Sequence, residues 1–478
     1  MTLLLILAVA LFAVFPLTDT DIWWHLACAR EWVTTWTPVR SPIVNVHEYF
    51  QHTVCFIYNI GGAPLLVAFK AFLWAFVFAL FLIPFKKKLG TNIWNGKSAL
   101  FAACLILPLL FVFRFQFEIR PIVFTLIFLG VFWNVLPWLF QGEKFSIKLA
   151  LASVFVLCLQ WLWCRFQGLF VLGPILAGLC FATVLWNQKF KCSLFAKVYG
   201  FSLVAFLMAM PFLHADGLNL FLYPFGLLDR LLGMSPSATI FAKEIAENRS
   251  PFTLLFEGEN MVQSGLMILS VLVSFAYALF CFRAGKIKFE HVWLVVAAVL
   301  SLIAERNFSL FLPVFVAFLF LELCKVHVTH KKNLIVTVLA AFVLGLFLKS
   351  VLAYDHAMVS YQRVPVRAAE WSKTHPHEGR LFNDDRAGGY LAFVNPTDSV
   401  FIDGRFILKT SEFFSRYLLY AEEPDVFLKD ANLMNIDRAI LPIRYYARWK
   451  KLIVKLCNQS NWKIAYQDEY FVVLARSL

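Results

Sequence analysis

The acidic residues best suited to chemistry stand directly after the first apolar stretch of the chain. Asp19 and Asp21 are followed by Trp23, Trp24 and His25. Asp21 and His25 are four residues apart, so on a helix they share one face. A carboxylate can act as a general base, and two carboxylates can bind a divalent cation. The ordinary alternative also stays open, in which both aspartates cap a helix and interact with its dipole.

A stripe of apolar residues behind the two aspartates predicts an amphipathic helix. Its members recur at intervals of three and four, at Ile22, Leu26, Ala29, Val33 and Trp36. Tryptophan concentrates where a membrane meets water, and an amphipathic helix can lie in that plane. We therefore expect a helix in the membrane interface that begins at Asp19 and Asp21.

Composition decides which elements can position these residues. The chain has 478 residues, of which 60% are hydrophobic and 15% are charged. A soluble domain has about 45–50% apolar and about 25% charged residues, and a single soluble core cannot hide this excess. Composition therefore excludes a soluble enzyme, a disordered protein and a nucleic-acid-binding domain. It indicates a polytopic α-helical membrane protein surrounded by lipid.

Eleven apolar stretches have about the 17–25 residues, or slightly fewer, that a spanning helix needs. They are 2–17, 62–85, 98–113, 121–140, 149–163, 167–187, 194–212, 263–282, 289–304, 308–324 and 333–353. The loops on one side carry 15 Lys and Arg against three acidic residues, whereas the other side is balanced. By the positive-inside rule, the N-terminus is cytoplasmic and the C-terminal region lies outside.

Further polar residues stand at the expected outer ends of these stretches: Arg120, Gln167, Glu247, Arg306 and Asn307. Arginine binds phosphate through two parallel hydrogen bonds, so Arg120 and Arg306 are candidate phosphate ligands. The alternative is that both arginines extend from helix ends to the lipid headgroups. The chain has no Walker loop, no HExxH and no GxSxG. Their absence argues against an ATP-driven pump, a zinc protease and a familiar serine hydrolase.

Composition changes after residue 353 and divides the chain. Residues 1–354 form the predicted transmembrane domain, 355–378 a polar connector, and 379–478 a small extracytoplasmic α/β domain. The patterns in the last part predict strands at 380–383, 400–403, 438–441, 463–467 and 470–475, and helices near 411–420, 424–433 and 446–458. The pairs Gly388-Gly389 and Asp403-Gly404 are interpreted as turns.

Several motifs occur in an order that is also found in a known family. Residues 19–26 read D-T-D-I-W-W-H-L. Weaker motifs follow as R-P at 120–121, E-N-R-S-P at 247–251, R-N-F-S-L-F at 306–311, N-D-D through G-G-Y at 383–390, and F-I-D-G-R at 401–405. In this order they resemble a large family of bacterial polytopic membrane proteins whose opening motif is D-x-D-x-W-W-H-L. That family is similar to the GT-C glycosyltransferases.

The resemblance implies a GT-C-like fold with about 11 transmembrane helices. It also implies a polyprenyl-phosphate sugar donor and inverting transfer at the outer face of a bacterial inner membrane. Asp19 or Asp21 would act as general base or ligate Mg²⁺ or Mn²⁺, His25 would orient a carboxylate, and Glu247 would be a supporting acid. The substrate-binding residues would be Arg120, Arg306, Asn307, Trp24 and Gln167. A polyprenyl phosphate is a good leaving group that needs charge stabilisation more than protonation.

Three positions depart from the family pattern. Gln167 stands where the family has histidine, Asn248 stands where it has tryptophan, and residues 210–213 replace its N-P-x-G. A second hypothesis therefore stays open, a non-catalytic GT-C-like protein that binds or presents a lipid-linked glycan during surface-polysaccharide assembly. A secondary transporter is disfavoured, because the charges gather at one membrane face and the two halves show no repeat.

Overall fold

The computed structural model describes residues 1–30, 34–40, 44–88, 96–285 and 288–477. The chain forms two compact units. The first, here called the helical unit, comprises Met1–Val14, Ala68–Phe117 and Pro121–Ala353. The second, here called the mixed unit, comprises Phe15–Val67, Glu118–Arg120 and Tyr354–Leu478. Composition assigns residues 15–67 and 118–120 to the transmembrane domain, but their contacts group them with the C-terminal residues.

Helices account for nearly all regular structure before residue 354. In chain order they are α1 (Thr2–Phe12), α2 (Asp21–Cys28), α3 (Glu48–Lys88), α4 (Gly96–Val112), α5 (Ile122–Leu139), α6 (Ile147–Phe166), α7 (Leu172–Asn187), α8 (Leu194–Ala209), α9 (Gly217–Leu232), α10 (Thr239–Glu244), α11 (Pro251–Phe256), α12 (Met261–Arg283), α13 (Phe289–Ile303), α14 (Phe308–Leu323) and α15 (His330–Leu352). Each of the eleven apolar stretches of the sequence coincides with one of these helices.

Seven of the helices in the described residues are long and apolar enough to cross a membrane. Four shorter apolar helices, α1, α4, α7 and α13, have between 11 and 17 residues. The predicted polytopic α-helical membrane fold is therefore confirmed. The count of eleven spans, the bacterial inner membrane and the cytoplasmic N-terminus stay predictions.

Side-chain caps and one glycine kink set the bounds of several helices. Ser146 accepts a hydrogen bond from the backbone N–H of the third residue of α6, and Ser193 and Thr329 do the same for α8 and α15. Helix α3 bends at Gly61 and Gly62, where Gly62 has φ of +63°. L-residues with side chains rarely adopt that conformation, so the bend depends on glycine.

The C-terminal part of the mixed unit contains helices α16 (Val366–Thr374), α17 (Asp385–Val394), α18 (Ser411–Glu422), α19 (Pro424–Leu433) and α20 (Lys450–Cys457), and strands β1 (Arg380–Asn383), β2 (Ile436–Pro442), β3 (Trp462–Gln467) and β4 (Phe471–Arg476). The strands form one sheet in the order β1-β2-β4-β3. The β1–β2 pair is parallel, and the β2–β4 and β3–β4 pairs are antiparallel. Every residue of strand β2 is buried, as is typical of a strand that is covered on both faces of a sheet. The predicted small α/β fold is confirmed.

Three local predictions are wrong. Gly388 and Gly389 lie inside α17 and form no turn. Residues 400–403 form no strand; Val400 makes one isolated parallel bridge to Thr35. The amphipathic helix ends at Cys28, and Trp36 lies beyond it in irregular backbone. Val33, a member of the apolar stripe, lies outside the described residues.

A histidine between two carboxylates joins the connector to the sheet. His377 Nδ1 lies 2.6 Å from Asp437 Oδ1, and His377 Nε2 lies 3.0 Å from Asp398 Oδ2. Asp437 also accepts the backbone N–H of Gly379 at 2.7 Å. Burial lowers the pKa of His377, but its hydrogen bonds to both carboxylates outweigh burial and raise the pKa to about 9.

This cluster predicts a stability contribution that depends on pH. Because the folded pKa lies above the unfolded value of about 6.5, the contribution is complete below that pH and disappears as the pH rises through about 9. We expect His377→Gln to remove roughly 1–3 kcal/mol of stability at pH 6 and almost none at pH 10. Thermal unfolding in detergent, followed by tryptophan fluorescence at both pH values, measures the difference.

The matched control for this measurement is His356→Gln, since His356 is exposed. It should change the unfolding temperature equally, and little, at both pH values. A loss of stability in His377→Gln that is the same at pH 6 and pH 10 would contradict the ionic origin of the contribution.

Candidate active site

A buried ion pair holds the first of the two aspartates. Asp19 is 4% exposed and lies in the segment between α1 and α2. Arg120 Nε lies 2.9 Å from Asp19 Oδ2, and Arg120 Nη2 lies 3.0 Å from Asp19 Oδ1. This parallel, two-point pairing is the strong form of an arginine–carboxylate contact. The Arg120 side chain keeps 30% of its surface exposed, so the pair has one buried and one accessible member.

The second aspartate begins helix α2. The backbone N–H of Asp21 donates to Asp19 Oδ1 at 3.3 Å, so Asp19 also stabilises the helix start. The Asp21 carboxylate packs against Gly404: a Cβ atom at position 404 would overlap Asp21 Oδ1 and lie 3.3 Å from Trp24 Nε1. The space that Asp21 occupies therefore exists only because residue 404 has no side chain.

Trp24 and His25 are buried behind the start of α2. The two rings lie 3.5 Å apart between centroids, and His25 also contacts His47 and Phe50. Trp24 Nε1 and His25 Nδ1 have no hydrogen-bond partner among the residues that the structure describes. Burial, followed by the charges of His47, Arg405 and Arg120, lowers the pKa of His25 well below its usual value. The imidazole is therefore neutral near pH 7.

A second buried ion pair lies on the other side of Gly404. Arg405 Nη2 lies 2.5 Å from Asp403 Oδ2, and both side chains are almost fully buried. Thr34 Oγ1 donates to Asp403 Oδ2 at 2.8 Å and accepts from Arg405 Nη2 at 2.7 Å. Burial raises the pKa of Asp403, but the adjacent Arg405 guanidinium and its hydrogen bonds hold it below the usual value. The Asp403–Arg405 pair thus holds the turn at Gly404 against Thr34, which belongs to the segment after α2 that we call the first loop (residues 34–38).

Lys409 makes a second set of hydrogen bonds to the first loop. Its side chain is 2% exposed, and Nζ donates to Thr37 Oγ1 at 2.7 Å, Thr35 Oγ1 at 3.1 Å and the carbonyl of Pro38 at 3.2 Å. Burial lowers the pKa of Lys409 to about 8. Sequence reasoning missed this lysine, because a single Lys after three apolar residues gives no local signal of its partners, which lie more than 370 positions earlier in the chain.

Asn383 at the end of β1 and the two glycines of α17 position the Gly404 turn. The Asn383 side chain accepts from the backbone N–H of Phe401 at 2.8 Å and donates to the carbonyl of Ile402 at 2.7 Å. A Cβ atom at Gly388 would overlap that carbonyl, and one at Gly389 would lie 2.7 Å from the backbone N of Trp24. The two glycines therefore allow α17 to touch both the turn and α2.

The other four predicted site residues lie in the helical unit. Glu247 sits in a short 3₁₀ turn before α11, and Arg306 and Asn307 belong to the 3₁₀ turn before α14. A backbone hydrogen bond of 3.0 Å from Glu305 to the carbonyl of Arg249 brings these turns together. Gln167 follows α6 and accepts the backbone N–H of Leu169 through its side chain. The catalytic and substrate-binding roles of these residues stay predictions.

The side chains brought together here do not form an evident metal site. In the described ranges, no three His, Cys, Asp or Glu side chains lie close enough to hold a metal ion. Both oxygens of Asp19 already accept hydrogen bonds from Arg120, which would compete with a cation. The binding of Mg²⁺ or Mn²⁺ by Asp19 and Asp21 stays a prediction.

The chain is similar to known proteins in its three-dimensional structure but matches none of them in sequence. No protein-family model matches the chain, and no curated protein matches it in sequence. Among solved structures, the chain is similar to the oligosaccharyltransferase of Archaeoglobus fulgidus in the apo form, with a TM-score of 0.58 and 13% identity. The match covers 100% of this chain and 74% of the archaeal one.

Two further similar structures contain a lipid phosphate. One is the oligosaccharyltransferase AglB from Archaeoglobus fulgidus with an inhibitory peptide and a dolichol-phosphate, at a TM-score of 0.56, 12% identity and coverage of 100% of this chain and 74% of AglB. The other is ArnT from Cupriavidus metallidurans bound to undecaprenyl phosphate, at 0.51 and 13%, covering 99% of this chain and 96% of ArnT. At this identity the likeness shows the fold alone, and the predicted GT-C-like fold is confirmed.

The Gly404 contact predicts a coupled pair of substitutions. Gly404→Ala places a methyl group on Asp21 Oδ1, and overpacking of this kind costs about 1–3 kcal/mol. We expect a lower unfolding temperature in detergent. We also expect a smaller loss when Gly404→Ala is made in an Asp21→Ala background, because the carboxylate is then absent.

The control for this cycle is Gly345→Ala in α15, where an added methyl meets nothing within 4 Å. It should be neutral or slightly stabilising, since alanine favours a helix by about 0.5–1 kcal/mol over glycine. If Gly404→Ala costs the same in both backgrounds, the contact does not position Asp21.

Proposed function

We propose that this protein is an inverting glycosyltransferase. It transfers a sugar from a polyprenyl-phosphate donor to an acceptor at the outer face of the membrane. The observation that carries the proposal is the Asp19–Arg120 pair beside Asp21, where one arginine is held at two points by a buried carboxylate and keeps 30% of its surface exposed. The similar structures support it, since AglB carries a dolichol-phosphate and ArnT carries undecaprenyl phosphate.

Asp21 acts as the general base in this proposal. Arg120 holds Asp19 at two points, and Asp21 opens helix α2 beside the Gly404 turn. Asp21 takes the proton of an acceptor hydroxyl as that oxygen bonds to the anomeric carbon. The bond from this carbon to the donor phosphate breaks, and its electron pair leaves with the polyprenyl phosphate. A single displacement of this kind inverts the anomeric carbon.

Arg120 stabilises the negative charge that develops on the leaving phosphate. Asp19 fixes the guanidinium in one orientation, and a preoriented cation loses little energy to rearrangement during the reaction. Arg306, Asn307 and Gln167 of the helical unit are proposed to bind substrate, and Glu247 is proposed to be a supporting acid. Trp24 would contact the sugar, and neutral His25 would orient a carboxylate through a hydrogen bond.

Substitution of the two aspartates tests the proposal. Asp21→Asn should lower turnover by about 10²–10⁴-fold, the usual contribution of a general base, while donor binding stays intact. Arg120→Gln should weaken both turnover and donor binding. Turnover is measured in the purified full-length protein as release of undecaprenyl phosphate from an undecaprenyl-phosphate sugar, with a membrane extract as the source of acceptor.

Asp425→Asn is the matched control, because it makes the same charge change in an exposed pair with Lys455. It should leave turnover unchanged. Full activity of both Asp19→Asn and Asp21→Asn would refute the catalytic roles. Donor binding by the wild-type protein without any turnover would favour the non-catalytic alternative. The same assay in EDTA decides the Mg²⁺ or Mn²⁺ prediction, which is supported if activity is lost and either cation restores it.

A further inference from the structure

A cluster of arginine and tyrosine side chains lies on the mixed unit, outside the site described above. We call it the arginine–tyrosine cluster; its members are Arg363, Arg386, Tyr445, Tyr446 and Arg448. Arg386 Cζ lies 3.3 Å from the centroid of the Tyr446 ring, and Arg448 Cζ lies 5.5 Å from it. Both guanidinium groups therefore stack on one tyrosine, an arrangement that holds each cation in place.

Direct contacts connect this cluster to the segment that carries Asp19. Arg363 Cζ lies 4.9 Å from the ring of Tyr445, and Arg363 Nη2 donates to the Tyr445 hydroxyl at 2.5 Å. Arg363 Nη1 donates to the backbone carbonyl of Thr18 at 3.2 Å. Thr18 immediately precedes Asp19 in the chain. The cluster is thus next to the candidate catalytic residues within the same compact unit.

Arg363 and Arg386 differ in their pairing from four other arginines of the mixed unit. Arg120, Arg405, Arg416 and Arg444 each pair with a carboxylate. In the part of the chain that the structure describes, Arg363 and Arg386 have no ion-paired carboxylate. The Asp384 and Asp385 carboxylates act on Arg386 and Arg448, but the three guanidinium groups outnumber these two carboxylates. The cluster therefore keeps a net positive charge, which is suited to bind an anion from outside the chain.

We propose that the arginine–tyrosine cluster binds the acceptor of the transfer reaction, and that this acceptor is an acidic glycan carrying carboxylate or phosphate groups. The proposal rests on the proposed function. Guanidinium groups pair with the acidic groups, and the exposed part of Tyr445 can contact the C–H face of a sugar ring. The only large apolar side chain of the cluster with substantial exposure is Tyr445, at 40%. The cluster therefore has no apolar wedge of the kind that inserts into a bilayer.

A binding experiment tests this without any turnover. The probe is a hexamer of galacturonic acid, and its methyl ester is the uncharged control of equal length. In isothermal titration of the full-length protein in detergent, we expect the acid to bind at least tenfold more tightly than the ester. Arg386→Gln and Arg363→Gln should each weaken binding of the acid about tenfold, the effect of losing about 1.4 kcal/mol of charge-assisted contact.

Arg444→Gln is the matched control. Arg444 immediately precedes Tyr445 in the chain and is already paired with Glu469, and its substitution removes the same charge. It should leave binding unchanged, and all variants should share the unfolding temperature of the wild type. Equal binding of acid and ester, or an equal loss in Arg444→Gln, would overturn the proposal. So would competition by phosphatidylglycerol vesicles that matches competition by the acid, which would assign the cluster to lipid.

The proposed function and this inference can fail separately. Asp21→Asn should bind the galacturonate hexamer as the wild type does, because Asp21 is outside the cluster. Absence of turnover with selective binding of the acid would refute the glycosyltransferase activity and leave the anionic glycan surface. Turnover without selective binding would refute the acceptor surface alone.

Discussion

The packing of α2 against two glycines is the contact on which the candidate site depends. Gly389 faces the backbone of Trp24, and Gly404 faces the carboxylate of Asp21. Protein interiors are close-packed, so two backbone segments can approach this closely only where glycine leaves room between them. Trp23 completes the contact, with its ring 4.7 Å from that of Tyr390. Asp21 is therefore placed by backbone packing, and a general base must lie within hydrogen-bond reach of the proton it takes.

Two ion pairs bracket this contact and have different roles. The Asp403–Arg405 pair is almost fully buried and hydrogen-bonded to Thr34. Taking both charges out of water is costly, so such a pair is weak evidence for stability but strongly constrains geometry, because loss of one partner leaves a buried charge. The Asp19–Arg120 pair differs, since its arginine stays partly exposed. The first pair therefore fixes the turn, whereas the arginine of the second pair is held and still partly accessible to solvent.

Sequence patterns predicted the elements better than the site. The eleven apolar stretches and four of the five predicted strands were readable because burial imposes a local period or run length. Gly388 and Gly389 were interpreted as a turn because glycine disfavours a helix by about 1 kcal/mol. Here the close approach of α17 to α2 overrides that preference. The roles of Arg405 and Lys409 could not be read from the sequence, because their partners in the first loop lie about 370 residues away.

The first loop and helix α2 depend on contacts with the distant C-terminal residues for their stability. Helix α2 has eight residues, fewer than the about 12–15 at which an isolated helix becomes even marginally stable in water. Its stability must come from packing, and within the mixed unit the contacts with α17 and the Gly404 turn supply it. The Gly404 turn that contacts Asp21 is in turn held by the hydrogen bonds of Arg405 and Lys409 to residues 34–38. The C-terminal α/β part thus completes the candidate site, because it supplies contacts that the eight residues of α2 do not make among themselves.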